Sequence, residues 1–260
     1  MTMSKKETAS RFFDSVAEDY LGENYLSPGG KYPTLLIRRL RMLNMMPEET
    51  GTALDAGCGP GILLRDFILK GHRAIGFDIS PQMIHAAREN NELFTGERCD
   101  MLLNDLEQIP LRDGSVDVFT AAGVIEYLPR DNQALSEVSR ILKPGGVAII
   151  TLTNATTPLW VAETLLKTMG VWGVVYTRIK RGESFPAARV HVPSRFSREA
   201  SLHGLKEAHR EYFHFTPLPF PLDNVFKKYS IRKGLEMERL SKTRWGFLGR
   251  GCILKYVKAA

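Results

Sequence analysis

A glycine-rich stretch preceded by an acid contains the groups of this chain best suited to binding a charged small molecule. Gly57, Gly59 and Gly61 occur at alternate positions, shortly after Asp55. Glycine lets the backbone approach a ligand closely, and the free N–H groups at the start of a helix attract a carboxylate or phosphate. Asp55 suits the ammonium group of an amino acid. We therefore predict that this turn binds a ligand with an acidic end.

A second acid follows at the distance that a nucleoside site requires. Asp78 stands 17 residues after Gly61 and ends an apolar run. A carboxylate at the end of the second parallel strand can accept hydrogen bonds from both hydroxyls of a ribose. A dinucleotide site would also need glycine at the sixth position counted from Gly57, where this chain has Ile62. The glycine spacing therefore disfavours a pyrophosphate ligand.

Short apolar runs and helical spacings indicate the elements that position these residues. The pattern predicts a buried strand over 52–56, a helix over 62–69 and a second strand over 72–78. Ser80 and Pro81 are residue types favoured at the start of the next helix. Strand, tight turn, helix and strand in succession predict an α/β fold whose strand ends carry the site.

Four motifs between Thr52 and Thr153 resemble those of the class I S-adenosylmethionine (SAM)-dependent methyltransferases. The string Leu54–Gly61 is similar to their first motif, and Asn104–Asp117 resembles their Asp-(Ala/Leu)-Glu-x-(Leu/Ile)-Pro pattern nearly position for position. The string Asn104–Asp117 is not expected in a nicotinamide-dependent enzyme. A helix, Lys143–Gly146 and a strand form a further mark of the family. The resemblance implies a Rossmann-like seven-stranded, mostly parallel sheet with helices on both faces, an N-terminal helical lid and an insertion after the fifth strand.

The resemblance also implies which residues hold SAM, with S-adenosylhomocysteine (SAH) as the product. Asp55 would orient the amino group, the glycine loop would hold the carboxylate end, and Asp78 would hold the ribose. The carboxylate of Asp105 would accept from the adenine amino group, and the backbone N–H of Leu106 would donate to the ring. No metal is needed for any of these contacts.

Four further residues are predicted to contact the cofactor. They are Ile79 and Met83 as an apolar wall beside the adenine, Ala122 at the end of the fourth strand, and Tyr20 from the N-terminal segment. Ordinary core packing is the alternative for the first two and for the tyrosine.

Two residues are candidates for the catalytic role, and neither follows directly from the family pattern. Relatives carry Val-Leu-Glu-His where this chain has Val124–Tyr127, so a histidine that serves as a base there is replaced by Tyr127. The tyrosine could orient a substrate hydroxyl. His191 is a candidate general base because its proton affinity lies near neutral pH, with a purely structural role as the alternative. An amine or an activated carbon as acceptor would need no base.

The chain divides into four predicted parts. These are an N-terminal helical lid (1–46), a SAM-binding core (47–155), an insertion (156–194) and a C-terminal part that completes the sheet (195–260). Between Pro158 and Tyr176 the insertion is rich in large apolar side chains, and basic residues follow up to Arg181. It resembles the insertion of ubiquinone-pathway O-methyltransferases. We interpret it either as a lid over an apolar pocket or as a segment that contacts a membrane surface through 158–181.

Composition places the chain among globular proteins of the cytoplasm. Its 260 residues carry a net charge of +6, three separated cysteines and an N-terminus without an apolar signal core. From Val171 onward the chain has 18 Lys and Arg against 7 Asp and Glu, which indicates an anionic partner or a solvated basic face. We expect a cytoplasmic protein, with the inner membrane face as a candidate site of peripheral contact, and we expect no nucleic acid partner.

Together these patterns predict a SAM-dependent methyltransferase that acts on a small-molecule or lipid-like acceptor, with an oxygen nucleophile favoured. Two alternatives stay open at this point. A nicotinamide-dependent oxidoreductase would share Asp78 but not the string around Asp105. A non-catalytic membrane-surface adaptor would share the SAM-binding fold and transfer no methyl group.

Overall fold

A computed structural model describes residues 4–22, 33–94, 96, 98–168, 188–220 and 222–259. Within them, seven strands form one sheet in the order β3-β2-β1-β4-β5-β7-β6. The strands are β1 (Thr52–Ala56), β2 (Arg73–Asp78), β3 (Cys99–Leu103), β4 (Val116–Ala121), β5 (Leu142–Thr153), β6 (Leu205–Phe213) and β7 (Gly251–Lys258). Strands β1 to β5 are parallel, and β7 is antiparallel to both of its neighbours. The mostly parallel seven-stranded sheet predicted from the sequence is confirmed.

Helices connect the strands and cover both faces of the sheet. They are α1 (Lys5–Leu21), α2 (Pro33–Met45), α3 (Ile62–Leu69), α4 (Pro81–Asn90), α5 (Asn132–Ile141), α6 (Pro158–Thr168), α7 (Pro193–Leu202), α8 (Leu222–Val225) and α9 (Lys227–Met237). Short 3₁₀ turns add Glu92–Phe94, Ile125–Tyr127, Glu238–Leu240 and Gly246–Leu248. No helix among the described residues is long and apolar enough to cross a bilayer.

Alternation along the strands builds two cores, one on each face. In β1, Leu54 and Ala56 belong to the core that α5 and α7 cover, whereas Ala53 belongs to the core that α2, α3 and α4 cover. Successive side chains of a strand point to opposite faces, so a strand buried on both faces must be apolar at nearly every position. The middle residues of β1 and β4, Ala53–Leu54 and Val118–Phe119, are accordingly apolar.

The strand directions gather several connections at one edge of the sheet. Thr153 at the end of β5 and Phe213 at the end of β6 both pair with Gly251 at the start of β7. Strand β6 therefore runs in the same direction as β5, and its last residue lies at the same edge as the carboxyl ends of β1, β2 and β4. We call this edge the carboxyl edge. The glycine turn, α6 and the segment that leads to α8 all leave the sheet there.

Three elements extend beyond their apolar segments. Strand β6 begins at Leu205, because pairing with β7 continues through its charged half. Strand β5 includes the Lys143–Gly146 turn. Helix α1 begins at Lys5, where Ser4 and Glu7 form a capping box.

Helix α6 is the described beginning of the predicted insertion, and a buried ion pair ties it to the sheet. The Glu163 carboxylate accepts from Arg250 Nη2 at 2.6 Å and from the backbone N–H of Phe220 at 2.6 Å. The rest of the predicted apolar and basic segment, residues 169–187, lies outside the described residues. The interpretation of that segment as a lid or a membrane contact therefore stays a prediction.

Candidate functional site

A cavity opens at the carboxyl edge, between α1, α2 and the ends of β1, β2 and β4. Most of the residues predicted to hold a cofactor line it: Tyr20, Asp55, Gly57, Gly59, Asp78, Ile79, Met83, Asp105, Leu106 and Ala122. Tyr127 lines it as well, whereas Gly61 and His191 lie outside the lining. The structure thus brings together residues that are up to about 100 positions apart in sequence.

The glycine turn is held against the neighbouring strand, and one of its glycines has no room for a side chain. The backbone N–H groups of Gly57 and Cys58 both donate to the carbonyl oxygen of Phe77, at 2.7 and 3.0 Å. Gly57 has a φ of 66°, and a Cβ atom there would lie 2.2 Å from Cγ2 of Val124. Gly61 precedes α3 with a φ of 79° and directs the chain into the helix. The backbone, rather than side chains, therefore forms this wall of the cavity.

Asp78 connects the end of β2 to the glycine turn. Its Oδ2 accepts from the backbone N–H of Gly59 at 3.0 Å, and its Oδ1 accepts from the N–H of Ser80 at 2.9 Å. Burial raises the pKa of this carboxyl. Each oxygen of an ionised carboxylate can accept more than one hydrogen bond, so both oxygens can still accept from a diol in the cavity.

Asp55, at the end of β1, is the most deeply buried acid of the lining. Only 2% of its surface is exposed, and Thr120 Oγ1 donates to its Oδ1 at 2.6 Å. Burial raises the pKa of Asp55 from 3.8 to about 7, against the opposing effects of the Thr120 hydrogen bond and the charge of Arg38. A cationic group beside Asp55 would stabilise the ionised carboxylate and lower this pKa.

The pKa of Asp55 predicts a pH dependence with a defined sign. The folded, ligand-free protein binds this proton more tightly than the unfolded chain, so the stability that Asp55 contributes is present below pH 3.8 and is lost as the pH rises through about 7. An ammonium ligand needs the carboxylate, so its affinity should increase over the same rise. We expect Asp55→Asn to flatten both dependences in thermal unfolding and in calorimetric titration with SAM. The exposed control Asp100→Asn should keep both, and unchanged pH profiles in Asp55→Asn would contradict the assignment.

The far end of the cavity contains a cation that the sequence interpretation missed. Lys6, on α1, donates to Asp105 Oδ2 at 2.5 Å and also contacts the carboxylate of Glu107. The backbone N–H of Glu107 donates to Asp105 Oδ1 at 3.0 Å. Lys6 thus occupies one acceptor oxygen of the residue predicted to bind the adenine amino group. The lysine lies 99 residues from Asp105, and local spacing gives no sign of this contact.

Helix α1 covers the cavity through further contacts to β2 and α4. Asp14 Oδ1 accepts from Ser80 Oγ at 2.6 Å, and Ser10 Oγ donates to the carbonyl oxygen of Ile79 at 3.2 Å. Phe13 packs edge-on against Tyr127, with ring centroids 5.6 Å apart. The predicted N-terminal lid is consistent with this placement, and its division from the core stays a prediction.

Helix α2 contributes two further cations, Arg38 and Arg39, to the lining. Arg38 lines the cavity, with Nη1 3.0 Å from the position that a Cβ of Gly123 would take. Arg39 binds Asp66 with two hydrogen bonds, both of 2.6 Å, and Arg41 donates to the carbonyl oxygen of Tyr212 at 2.5 Å. Positions 38 and 41 are nearly one turn apart and lie near the same face of the helix, whereas position 39 is rotated by about 100° from position 38.

Tyr127 is the predicted catalytic residue that reaches the cavity. It is partly buried, and burial raises the pKa of its hydroxyl above the ordinary value. The hydroxyl therefore stays protonated near neutral pH and can donate a hydrogen bond. Among the lining residues that the structure describes, none is a histidine.

His191 lies in a buried polar cluster next to the cavity rather than in its lining. Its Nε2 is 3.2 Å from Asp131 Oδ1, and Arg189 holds the same carboxylate with hydrogen bonds of 2.9 and 2.8 Å. Its ring packs edge-on against Phe196 at 5.6 Å. Backbone bonds to Thr153 and Ala155 fix the histidine at the end of β5. Asp131 is thus a structural partner of His191. The role of His191 as a general base stays a prediction.

Comparisons with known proteins give a family match for the central part of the chain. The family described as "Methyltransferase domain" matches residues 54–150. The malonyl-[acyl-carrier protein] O-methyltransferase of Serratia marcescens is 34% identical over 110 residues, which cover 42% of this chain and 41% of that protein. The chain thus matches less than half the length of this curated relative.

Solved structures extend the likeness over nearly the whole chain, at low identity. A chain in the complex between the Haloferax volcanii Trm112 methyltransferase activator and a putative methyltransferase has a TM-score of 0.65 and 20% identity, over 95% of this chain and 98% of that one. Magnesium protoporphyrin IX methyltransferase from Synechocystis PCC 6803, with bound SAH, has a TM-score of 0.64 and 16% identity, over 98% and 100%. These likenesses show a common fold.

Proposed function

We propose that this chain, which belongs to the class I SAM-dependent methyltransferases, transfers a methyl group from SAM to an oxygen atom of a small-molecule or lipid-like acceptor. The observation that carries the proposal is the meeting of three acids in one cavity. Asp55, Asp78 and Asp105 lie at or just after the ends of three parallel strands, beside a glycine turn whose backbone forms one wall of the cavity. A sulfonium nucleoside has an ammonium, a ribose and an adenine for these acids to bind.

The charges of the lining residues complement those of SAM. Asp55 would bind the ammonium group of SAM. The guanidinium of Arg38 lies close enough to lower the pKa of Asp55, and it would bind the carboxylate of the amino acid part of SAM. Asp78 would accept from the ribose hydroxyls, and Leu106 with Asp105 would bind the adenine. Bound SAM supplies an electrophilic methyl group on a cationic sulfur. The task of the chain is then to orient the acceptor and to keep water away.

The wall beside the strand ends favours an apolar acceptor. Phe13, Val124 and Leu128 line this part of the cavity together with Tyr127. The hydroxyl of Tyr127 can donate a hydrogen bond to the acceptor oxygen and so orient it. Because no described lining residue is a histidine, we propose an acceptor oxygen that is already anionic near neutral pH, such as a carboxylate or an acidic phenol. The relative from Serratia marcescens is named as an O-methyltransferase, which supports oxygen as the acceptor atom.

The role of Tyr127 can be measured with the substitution Tyr127→Phe. If the hydroxyl only orients the acceptor, kcat/KM should fall about tenfold, the value of one hydrogen bond, and the pH profile should keep its shape. A general base would instead contribute about a hundredfold or more and a titrating limb of the profile. Tyr212→Phe is the matched control, because Tyr212 lies outside the cavity lining. A loss above a hundredfold together with a lost limb would contradict the orienting role, and the same measurement on His191→Gln tests the predicted base.

Incubation of labelled SAM with a host extract, separated into lipid and polar fractions, tests the function itself. We expect the label in a lipid-soluble product and no labelled product with an Asp78→Ala variant. Binding of NADH without binding of SAM would instead support a nicotinamide-dependent oxidoreductase. Binding of SAM with no labelled product in any fraction would support a non-catalytic adaptor.

A further inference from the structure

We propose that the outer surface of α8 and α9 docks on an anionic lipid bilayer. Four large apolar side chains on this surface are exposed to solvent: Leu222 (43%), Val225 (63%), Phe226 (56%) and Tyr229 (46%). We call these four side chains the apolar stripe. They recur at intervals of three, one and three residues, the spacing of one face of a helix. The helical hydrogen bonds continue through the junction, from Phe226 to Leu222 and from Ser230 to Phe226.

The packing of α9 fixes which of its faces points outward. Ser230 and Gly234, on the inner face, are buried. A Cβ atom at Gly234 would lie 2.2 Å from the carbonyl oxygen of Phe215, so the helix approaches the body of the protein as closely as a backbone can. The helix has no room to rotate and bury the apolar stripe. The stripe is therefore available to a partner.

Charge around the apolar stripe indicates the kind of partner. Lys227 and Lys228 follow Phe226 directly, and Arg232 follows Tyr229; all three cations are exposed. Asp223 is the only acid between residues 222 and 232. Protein interfaces are depleted in lysine, whereas apolar side chains flanked by lysines suit the boundary between lipid head groups and acyl chains. Each lysine near an anionic leaflet adds attraction. The composition thus favours an anionic membrane over an acidic protein.

The position of the apolar stripe connects it with the cavity. Helix α8 follows the segment that leaves β6 at the carboxyl edge, the same edge at which the cavity opens. Helix α6 leaves this edge too and exposes Val161 and Leu165. A bilayer in contact with the apolar stripe would therefore lie on the cavity side of the sheet, where a lipid-like acceptor could reach the protein directly. Docking itself does not depend on methyl transfer and can be measured without SAM.

The test is co-sedimentation of the full chain with vesicles of phosphatidylcholine alone and with vesicles that also contain phosphatidylglycerol. We expect binding to the anionic vesicles that weakens as the ionic strength rises. Lys227→Gln with Lys228→Gln should lower the partition coefficient about 25-fold, since each lysine contributes roughly a factor of five. Val225→Ser with Phe226→Ser should lower it at least about tenfold, because the apolar area is lost.

Matched controls separate docking from general charge and folding effects. Lys70→Gln with Lys206→Gln removes the same charge from exposed positions elsewhere, and Leu69→Ser with Leu202→Ser removes two exposed leucines from other helices. Both control variants should bind vesicles like the unaltered chain. All variants should keep their SAM affinity in calorimetry, which verifies the fold.

Two outcomes would overturn the proposal. One is that the unaltered chain does not bind anionic vesicles. Another protein or another segment would then cover the apolar stripe. The other is undiminished vesicle binding by both the Lys227/Lys228 variant and the Val225/Phe226 variant, which would assign any membrane contact to another part of the chain, such as residues 158–181. Neither outcome bears on SAM binding or methyl transfer, so the proposed function would stand or fall separately.

Discussion

Replacing Asp78 by alanine is expected to raise the dissociation constant for SAM about a hundredfold or more, because the carboxylate has two tasks. It would accept from the ribose hydroxyls, and in the structure it already accepts from the backbone N–H groups of Gly59 and Ser80. A hydrogen bond to a charged group contributes about 1.5 to 3 kcal/mol, so the loss of two ribose contacts alone accounts for that factor. Loss of the Gly59 contact also releases the turn.

Isothermal titration calorimetry at neutral pH measures this effect. Asp100→Ala is the matched control, because Asp100 lies on the neighbouring strand β3, is half-exposed and pairs with Arg73 outside the cavity. The control should bind SAM like the unaltered chain. An Asp78→Ala protein that is folded by circular dichroism and binds SAM with unchanged affinity would refute the assignment of the ribose site.

Gly57→Arg should abolish measurable SAM binding. Any Cβ atom at this position would approach Cγ2 of Val124 to 2.2 Å, and the φ of 66° is a conformation that costs other residues energy. The long side chain would then extend from the turn that forms the cavity wall. Gly57→Ala separates these effects, because it introduces the clash and the strain without the bulk. We expect Gly57→Ala to weaken binding and Gly57→Arg to eliminate it.

Gly145→Arg is the control for this substitution. Gly145 has a similar φ of 77°, but nothing lies within 4 Å of its added Cβ, and it belongs to the turn before the apolar part of β5. Its replacement should lower the free energy of unfolding by about 1 to 2 kcal/mol through backbone strain and leave the SAM affinity unchanged. Equal losses of affinity in Gly57→Arg and Gly145→Arg would show that strain, not obstruction of the cavity, is the cause.

Local sequence patterns were sufficient for the part of the site that lies at strand ends. The glycine turn, Asp55 and Asp78 belong to two consecutive strands, and the fixed geometry of a parallel sheet brings such ends together. Asp105 and Leu106 could be placed because a motif marks them. Each of these predictions needed only a few neighbouring residues.

Contacts between distant segments could not be predicted in this way. The approach of Lys6 to Asp105 depends on the angle at which α1 crosses the sheet edge, and the pairing of His191 with Asp131 joins residues 60 positions apart. The sequence shows a histidine at position 191, but not that Asp131 and Arg189 surround it. The orientation of Arg38 toward the cavity likewise depends on how α2 packs.

The outer strand β6 also affects whether separate molecules of this protein associate. An outer strand leaves backbone groups unpaired, and these can recruit a strand from a second molecule and start aggregation. Here the first half of β6 carries Lys206, Glu207, His209 and Arg210, and its register with β7 shifts between Glu207 and His209. Charges and an irregular register both discourage such recruitment. The sheet is thus protected on the β6 side against growing from one molecule into the next.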